Sequence, residues 1–165
     1  VSEASDVREL QKCLADCCDR QVGIVLKIET RRAFANLPNL LLAAMRSPSA
    51  GIMIARGDLA IECGYERLAE VQEEILWIAE AAHLPVIWAT QVLETLAKTG
   101  VPSRSEITDA AMGQRAECVM LNKGPYVNEA IQLLDRILKS MQAHQSKKRS
   151  LLRQLHSWNR EPQTM

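Results

Sequence analysis

Hydrophobic residues along this chain change their spacing in a regular alternation. Four short apolar runs cover residues 22–28, 51–55, 85–89 and 118–121, and the first of them is rich in β-branched side chains. Such runs are typical of strands that are buried on both faces of a parallel sheet. Between the runs, apolar positions recur every three or four residues, which predicts amphipathic helices. The predicted helices cover residues 6–19, 31–45, 66–82, 91–98, 105–115, 127–142 and 150–158.

Strand-then-helix units with short connections predict an α/β protein in which helices cover a parallel sheet. Two architectures fit this alternation, an open doubly wound sheet and part of a TIM-type (β/α)8 barrel. The spacing alone does not separate them. The helix at 31–45 is expected to be irregular near Pro38, because proline lacks the N–H that a helix interior needs.

Several local features carry expectations of their own. Ser5 is a candidate N-cap for the first helix. Cys13 and Cys17 lie one helical turn apart and are predicted to pack on one face as small apolar residues. On the helix at 66–82, the apolar stripe includes Val71 and Ile75, and Trp77 is predicted to lie in the core.

Composition narrows the class of protein. The chain has 165 residues, and its formal net charge is zero because 20 Lys and Arg balance 20 Asp and Glu. No general attraction to nucleic acid or to an anionic membrane is therefore expected. No apolar stretch approaches the roughly 20 residues that span a bilayer. The 5 cysteines form no CxxC pair, which argues against a zinc site and favours a reduced, cytoplasmic protein.

Chemically active residues follow the predicted strands. They are Lys27 and Glu29, then Arg56, Gly57 and Asp58, then Thr90 and Gln91, and finally Asn122 and Lys123. In a (β/α)8 barrel, functional side chains gather at the carboxyl ends of the strands. This distribution therefore favours a barrel with a site at that end.

Lys27 and Glu29 alternate along one strand, so their side chains point to the same side. A Lys and a Glu in an apolar strand need a partner or a metal ion, and a purely structural buried ion pair is the alternative. Asp58 follows the second strand directly and can lie beside Glu29. Two carboxylates suit Mg²⁺, which keeps several waters and adds substrate oxygens.

The segment that starts at Gly57 is expected to begin a helical turn, whose free N–H groups bind anions. Gly57 would let a substrate carboxylate approach the main chain. The Arg-Gly-Asp triplet at 56–58 is also a short adhesion motif, a weak alternative at the end of a buried strand.

Five blocks of sequence resemble the pyruvate kinase family in order and approximate spacing. They are KIE at 27–29, IMIARGDL at 52–59, PVIWATQVLE at 85–94, PSRSEITD at 102–109 and CVML at 118–121. The resemblance covers roughly residues 3–142. It implies that the four strands are the fifth to eighth of the (β/α)8 barrel. Residues 1–145 would be the second half of that barrel, and 146–165 a C-terminal helix and polar tail.

The resemblance implies a glycolytic enzyme that transfers the phosphoryl group of phosphoenolpyruvate to ADP, giving pyruvate and ATP. Lys27 would be the catalytic cation, and Thr90 would face the enolate carbon that receives a proton. Glu29 and Asp58 would bind Mg²⁺. Arg56, Gly57, Asp58 and Thr90 would contact the substrate, with Arg56 ranked last because it can be structural. The ligands of K⁺ are expected in the first half of the barrel.

Two departures from the family pattern qualify this expectation. Residues 122–126 read NKGPY, where the family carries a Ser-Gly-Glu-Thr segment and a longer loop. The family's C-terminal regulatory domain and its effector site are not expected here, since few residues follow the last predicted barrel helix. The chain is expected to work as part of a longer protein and to be inactive alone. A homo-oligomer is also expected. A barrel closed by two copies of this chain is the alternative to a fragment of a longer protein.

Two other hypotheses remain open. One is a catalytically silent relative that binds a phosphometabolite or a partner subunit. The other is a Mg²⁺-dependent aldolase on a similar barrel, which the KIE and ATQ blocks disfavour.

Overall fold

A computed structural model of the chain describes residues 1–17 and 20–149, with side chains up to residue 142. The four strands are β1 (Ile24–Ile28), β2 (Ala50–Ala55), β3 (Val86–Val92) and β4 (Cys118–Leu121). The helices are α1 (Ala4–Cys17), α2 (Arg31–Ala35), α3 (Leu37–Ala44), α4 (Arg56–Cys63), α5 (Leu68–Ala81), α6 (Glu94–Thr99), α7 (Arg104–Met112) and α8 (Val127–Arg149). The stretch predicted at 150–158 lies outside the described residues.

Strand order decides between the two predicted architectures. The strands form one sheet in the order β1-β2-β3-β4, and all three neighbouring pairs are parallel. Each connection therefore returns to the adjacent strand, as in a (β/α)8 barrel, whereas a doubly wound sheet reverses its order at a switch point. The prediction of four parallel β/α units is confirmed.

The core lies between the sheet and its helices. Ile24, Leu26 and Ile28 of β1 are buried, as are Val71 and Ile75 of α5. These positions agree with the predicted stripe of the helix at 66–82. Burial of this kind is the main stabilising term of the fold.

The opposite face of the sheet is open. β1 alternates between buried and exposed residues, and Val25 is 50% exposed. The prediction that β1 is buried on both faces was wrong for the described chain. Lys27 is aligned with Met53 of β2, and Met53 with Ile87 of β3, so these residues share the uncovered face. This face corresponds to the inside of a barrel, which half a barrel leaves uncovered.

Several element boundaries differ from prediction. β3 continues to Val92 and α6 begins only at Glu94, so the start predicted for this helix, residue 91, was three residues too early. The predicted turn at Gly57 is the first turn of a two-turn helix, α4. The helix predicted at 31–45 is divided at Asn36, just before Pro38, as expected from proline.

Three expectations about single side chains were wrong. Trp77 is 60% exposed, and Cys13 and Cys17 are also exposed, so none of them lies in the core of the described chain. Ser5 lies inside α1, which begins at Ala4. The side chain of Asp6 instead accepts hydrogen bonds from the N–H groups of Ser2 and Glu3.

A capping box begins α7. The Ser103 hydroxyl accepts a hydrogen bond from Glu106 N at 3.3 Å, and Ser103 N donates to Glu106 Oε2 at 2.9 Å. Burial alone would raise the pKa of Glu106, but hydrogen bonds from the backbone N–H groups of Ser103 and Thr95 hold that pKa below its usual value. The box therefore favours the ionised form of Glu106.

We expect Ser103→Ala to lower the free energy of unfolding by about 1 kcal/mol, because an N-cap hydroxyl is lost. Urea denaturation followed by circular dichroism measures the change. Ser140→Ala, on the exposed side of α8, is the control and should be neutral or slightly stabilising, since alanine is the better helix former. An equal loss of stability in both variants would contradict the capping interpretation.

Candidate active site at the carboxyl ends of the strands

Lys27 occupies the centre of a small charged cluster where β1 and β2 end. Its Nζ forms an ion pair with Glu29 and lies 3.8 Å from Asp58 Oδ2. Glu29 follows β1, and Asp58 lies in the first turn of α4, directly after β2. The structure therefore brings together the three residues that the sequence predicted to be neighbours.

The charges in this cluster reinforce one another. The hydrogen bond that Lys27 donates to Glu29 raises the pKa of Lys27 above its usual value, and the negative charges of Glu29 and Asp58 act in the same direction. Lys27 is therefore a permanent cation at neutral pH.

The Lys27–Glu29 pair lies at the uncovered face of the sheet. The side chains of Lys27, Glu29 and Asp58 are 51%, 33% and 60% exposed. In the described chain, where the inner face of the half barrel is uncovered, the Lys27–Glu29 pair is therefore not sealed in the core. The charged atoms can be reached from solvent, as a ligand or a metal ion requires.

The donor set fits Mg²⁺ better than a metal that needs a full protein cage. Within the described part of the chain, no group of three or more His, Cys, Asp or Glu side chains could hold a metal ion. Glu29 and Asp58 nevertheless place two carboxylates around one cation, Lys27 Nζ. Mg²⁺ is commonly held by one or two carboxylates, with waters and substrate oxygens completing its coordination.

The first turn of α4 meets the end of β3. The N–H of Gly57 donates a hydrogen bond to Thr90 Oγ1, with a distance of 2.9 Å between the two atoms. A side chain at position 57 would project toward the side chains of Thr90 and Gln91, at 3.6–3.8 Å. Thr90 and the helix N-terminus therefore share one small polar surface.

The backbone at the end of β3 is unusual. Thr90, Gln91 and Leu93 have φ angles of 65°, 58° and 48°, in the left-handed region. The pairing of β3 with β4 shifts register between Trp88 and Val92. A left-handed β-branched residue is a rare and strained conformation, and such strain concentrates at functional sites.

Arg56 turns away from the charged cluster and lies within the protein. It is 7% exposed, and its guanidinium stacks on Trp88 at 4.6 Å from the ring centroid. Its donors go to the carbonyls of Ala89 and Thr90 and to the carboxylate of Asp109. This burial removes the adhesion-motif alternative, and the structure does not place the Arg56 side chain beside Lys27.

Asp109 is the functional candidate that sequence reasoning missed. It lies on α7 and forms an ion pair with Arg56. A signal was available, since an arginine in a buried position needs an anionic partner. Asp109 also closes the PSRSEITD block at 102–109.

The loop after β4 is anchored to α6. Tyr126 N donates to the carbonyl of Ala97 at 3.0 Å. Gly124 lies so close to that same carbonyl that a Cβ at position 124 would be 2.0 Å from the oxygen. This short loop is therefore tightly packed, and glycine is required at position 124.

Fold and site together define half of a (β/α)8 barrel with a charged site at the carboxyl ends of its strands. Comparison with known proteins identifies the family. The family model "Pyruvate kinase, barrel domain" matches residues 1–131. The chain belongs to the pyruvate kinase family, within its barrel domain.

Individual relatives agree with this family. The chain is 34% identical over 149 residues to a pyruvate kinase of Leishmania mexicana, covering 87% of this chain and 29% of that protein. It is 37% identical over 124 residues to a pyruvate kinase of Encephalitozoon cuniculi, covering 74% of this chain and 27% of that protein. The crystal structure of a pyruvate kinase from Cryptosporidium parvum superposes with a TM-score of 0.77 at 27% identity, covering 87% of this chain and 30% of that chain.

The chain thus spans about 29% of the length of the Leishmania relative. Among the described residues, no helix combines the length and the apolar character needed to cross a bilayer.

Proposed function

We propose that this chain supplies part of the active site of a longer protein that transfers a phosphoryl group from phosphoenolpyruvate to ADP, giving pyruvate and ATP in glycolysis. One observation carries the proposal. Lys27 Nζ lies between the carboxylates of Glu29 and Asp58, at the carboxyl ends of parallel strands. The family relationship and the share of each relative that is matched support a longer protein as the active form.

Lys27 is proposed as the catalytic cation. Negative charge shifts during phosphoryl transfer, and a fixed positive charge stabilises the transition state most when water is excluded. The carboxylates of Glu29 and Asp58 hold the ammonium group in place. In the described chain, Lys27 is 51% exposed on the side chain, so the remaining barrel strands are needed to exclude water.

Glu29 and Asp58 are proposed as the protein ligands of Mg²⁺. When bound there, Mg²⁺ would supply positive charge beside the phosphoryl oxygens. K⁺ is also expected in the enzyme, and its ligands are expected outside this chain.

The first turn of α4 is proposed to bind the carboxylate of phosphoenolpyruvate. N–H groups in the first turn of a helix have no acceptor within the helix, and they attract anions. Gly57 N donates to Thr90 Oγ1 in this structure, so a bound substrate carboxylate would share or replace that hydroxyl as the acceptor of this amide. Thr90 is further proposed to face the enolate carbon, with water carrying the proton. Arg56 was predicted to bind substrate, and its contacts with Ala89, Thr90 and Asp109 support an indirect role instead.

Glu29→Gln and Asp58→Asn are each expected to raise the Mg²⁺ concentration for half-maximal activity by at least about tenfold. Even groups that only orient metal ligands cost about 10–100-fold on removal. Activity assays of the full-length protein at increasing Mg²⁺ concentration give this value. Titration with Mn²⁺, followed by electron paramagnetic resonance, measures the affinity for the metal ion independently of turnover. Glu9→Gln, exposed on α1, is the matched control. If both site variants bound Mn²⁺ as tightly as the wild type, these carboxylates would not be the metal ligands.

A catalytically silent relative is the second candidate function. The observation that favours it is the short loop at 122–124, which packs tightly against α6. Such a protein would bind phosphoenolpyruvate in the presence of Mg²⁺ without forming ATP. Isothermal titration combined with an ATP assay on the full-length protein distinguishes binding with turnover from binding alone.

The proposed protein is cytoplasmic and forms a homo-oligomer, with ADP, ATP, phosphoenolpyruvate and pyruvate as its ligands. Within the described residues, the sheet ends at β1 on one side and at β4 on the other. Unpaired strand edges readily pair with further strands. Strands from the rest of a longer protein would satisfy both edges, and a second copy of this half barrel is the other way to do so.

A further inference from the structure

We propose that Arg56, held by Asp109, is a positioning residue that keeps the backbone of Thr90 in its left-handed conformation and so directs the Thr90 hydroxyl to Gly57. The conformational part of this proposal concerns the described chain alone. Only the consequence for substrate rests on the proposed function.

Thr90 needs an external restraint. Its φ is 65°. A β-branched residue avoids this region because its Cβ substituents crowd the neighbouring backbone. Strained residues of this kind persist only where surrounding contacts determine their conformation.

Arg56 supplies that restraint at the backbone. Its Nε donates to the carbonyl of Ala89 at 2.8 Å, and its Nη2 donates to the carbonyl of Thr90. The two carbonyls belong to consecutive residues, so one rigid guanidinium fixes the orientation of the peptide groups on both sides of the Thr90 Cα. A lysine ammonium lacks this planar fork of donors.

Asp109 and Trp88 orient the guanidinium. Asp109 binds Nη1, the nitrogen that does not contact β3, and Trp88 lies under the plane of the group. Trp88 covers one face of the guanidinium, and all three of its nitrogens donate hydrogen bonds, so the group has little freedom to rotate. α7 therefore contributes to the geometry of β3 through Asp109.

Two neighbouring residues of α4 hold Thr90 from different sides. The side chain of Arg56 binds the Thr90 carbonyl, while the backbone N–H of Gly57 binds the Thr90 hydroxyl. Release of the carbonyl should therefore also release the hydroxyl. In the proposed enzyme, this hydroxyl and this amide face the substrate, so Arg56 acts on the reaction through Thr90.

Hydrogen exchange of the Gly57 amide tests the inference without any assay of activity. In Arg56→Lys and in Asp109→Asn, we expect this amide in the full-length protein to exchange about tenfold faster, because Thr90 relaxes from its strained conformation and its hydroxyl no longer covers the amide. Amides of β1 and β2 should keep their wild-type rates, whereas global destabilisation would accelerate exchange throughout. Arg115→Lys, which alters an ion pair with Glu73 elsewhere in the chain, is the matched control.

A crystal structure of Arg56→Lys gives a second readout, and Asp109→Asn replaces it if that variant does not fold. In this variant, we expect the φ angle of Thr90 to be negative. A φ that stays near 65° together with wild-type exchange at Gly57 would overturn the inference. Thr90→Val must accelerate the Gly57 amide in the same experiment, because it removes the acceptor directly. Both results are independent of whether the protein transfers phosphoryl groups.

Discussion

Lys27→Met in the full-length protein is expected to lower the rate of ATP formation from phosphoenolpyruvate by about 10³-fold or more. Methionine removes the charge while it keeps most of the length of the side chain. Single cationic groups that stabilise the charge of a transferring phosphoryl group contribute about 10³–10⁵-fold. Steady-state kinetics at saturating Mg²⁺, with kcat and KM determined separately, measures the effect, which should fall mainly on kcat.

Lys98→Met is the control for this variant. Lys98 is exposed on α6 and pairs with Glu94 one turn away, so its loss should change the rate by less than about twofold. If Lys27→Met kept a third or more of the wild-type rate, the charge of Lys27 would have no catalytic role.

The pKa of Lys27 adds a dependence on pH. Because the folded protein raises this pKa, the Lys27–Glu29 interaction is fully present below the unfolded lysine value of about 10.4 and is lost as pH rises through the folded value. Lys27 should therefore impose no decline in rate through the neutral range. A decline that disappears in Lys27→Met would contradict this assignment.

Gly124→Ala is expected to lower the free energy of unfolding by about 3 kcal/mol. A Cβ at this position would lie 2.0 Å from the carbonyl oxygen of Ala97 and 2.4 Å from its carbon. Both atoms belong to the backbone of α6, which cannot move without disturbing the hydrogen bond from Tyr126 N. Overpacking in a well-packed region costs about 1–3 kcal/mol, and a clash with backbone lies at the upper end. Chemical denaturation measures the loss.

Gly23→Ala provides the comparison. There the added Cβ would meet Ser49 at 3.4 Å and 3.7 Å, in ordinary van der Waals contact, so a change within about 0.5 kcal/mol is expected. Similar losses for both substitutions would mean that the loop after β4 is free to rearrange.

The regular part of the fold was predictable because its physical signals are local. Ile24–Ile28 and Cys118–Leu121 are short and mostly apolar, and both form strands. The sequence also predicted the Lys27, Glu29 and Asp58 cluster, since residues that end adjacent parallel strands meet at one edge.

Features that depend on distant contacts were not predictable in this way. Thr90 and Gln91 carry no local preference for positive φ, and the contacts that hold Thr90 there come from α4. The family resemblance implied that Arg56 contacts the substrate, whereas the direction of its side chain depends on Asp109, which lies far along the sequence on α7. Trp77 shows the same limit, because a large apolar side chain on a helix can still face outward.

The open face of the sheet explains a further difference between prediction and structure. Val25 is apolar because the inside of a barrel is apolar, yet it is 50% exposed here. The apolar residues on this face therefore fit positions that are buried only when the barrel is complete. The described chain contains four of the eight strands that such a barrel needs.

Phosphorus NMR on the full-length protein, with phosphoenolpyruvate, ADP and Mg²⁺, follows the proposed phosphoryl transfer itself. We expect the phosphoenolpyruvate signal to fall while the γ-phosphate signal of ATP rises in equal amount, and we expect Lys27→Met to suppress both changes. Phosphoenolpyruvate that binds to the folded, Mg²⁺-loaded protein and is never consumed would contradict the proposed phosphoryl transfer and leave a binding protein built on the same site.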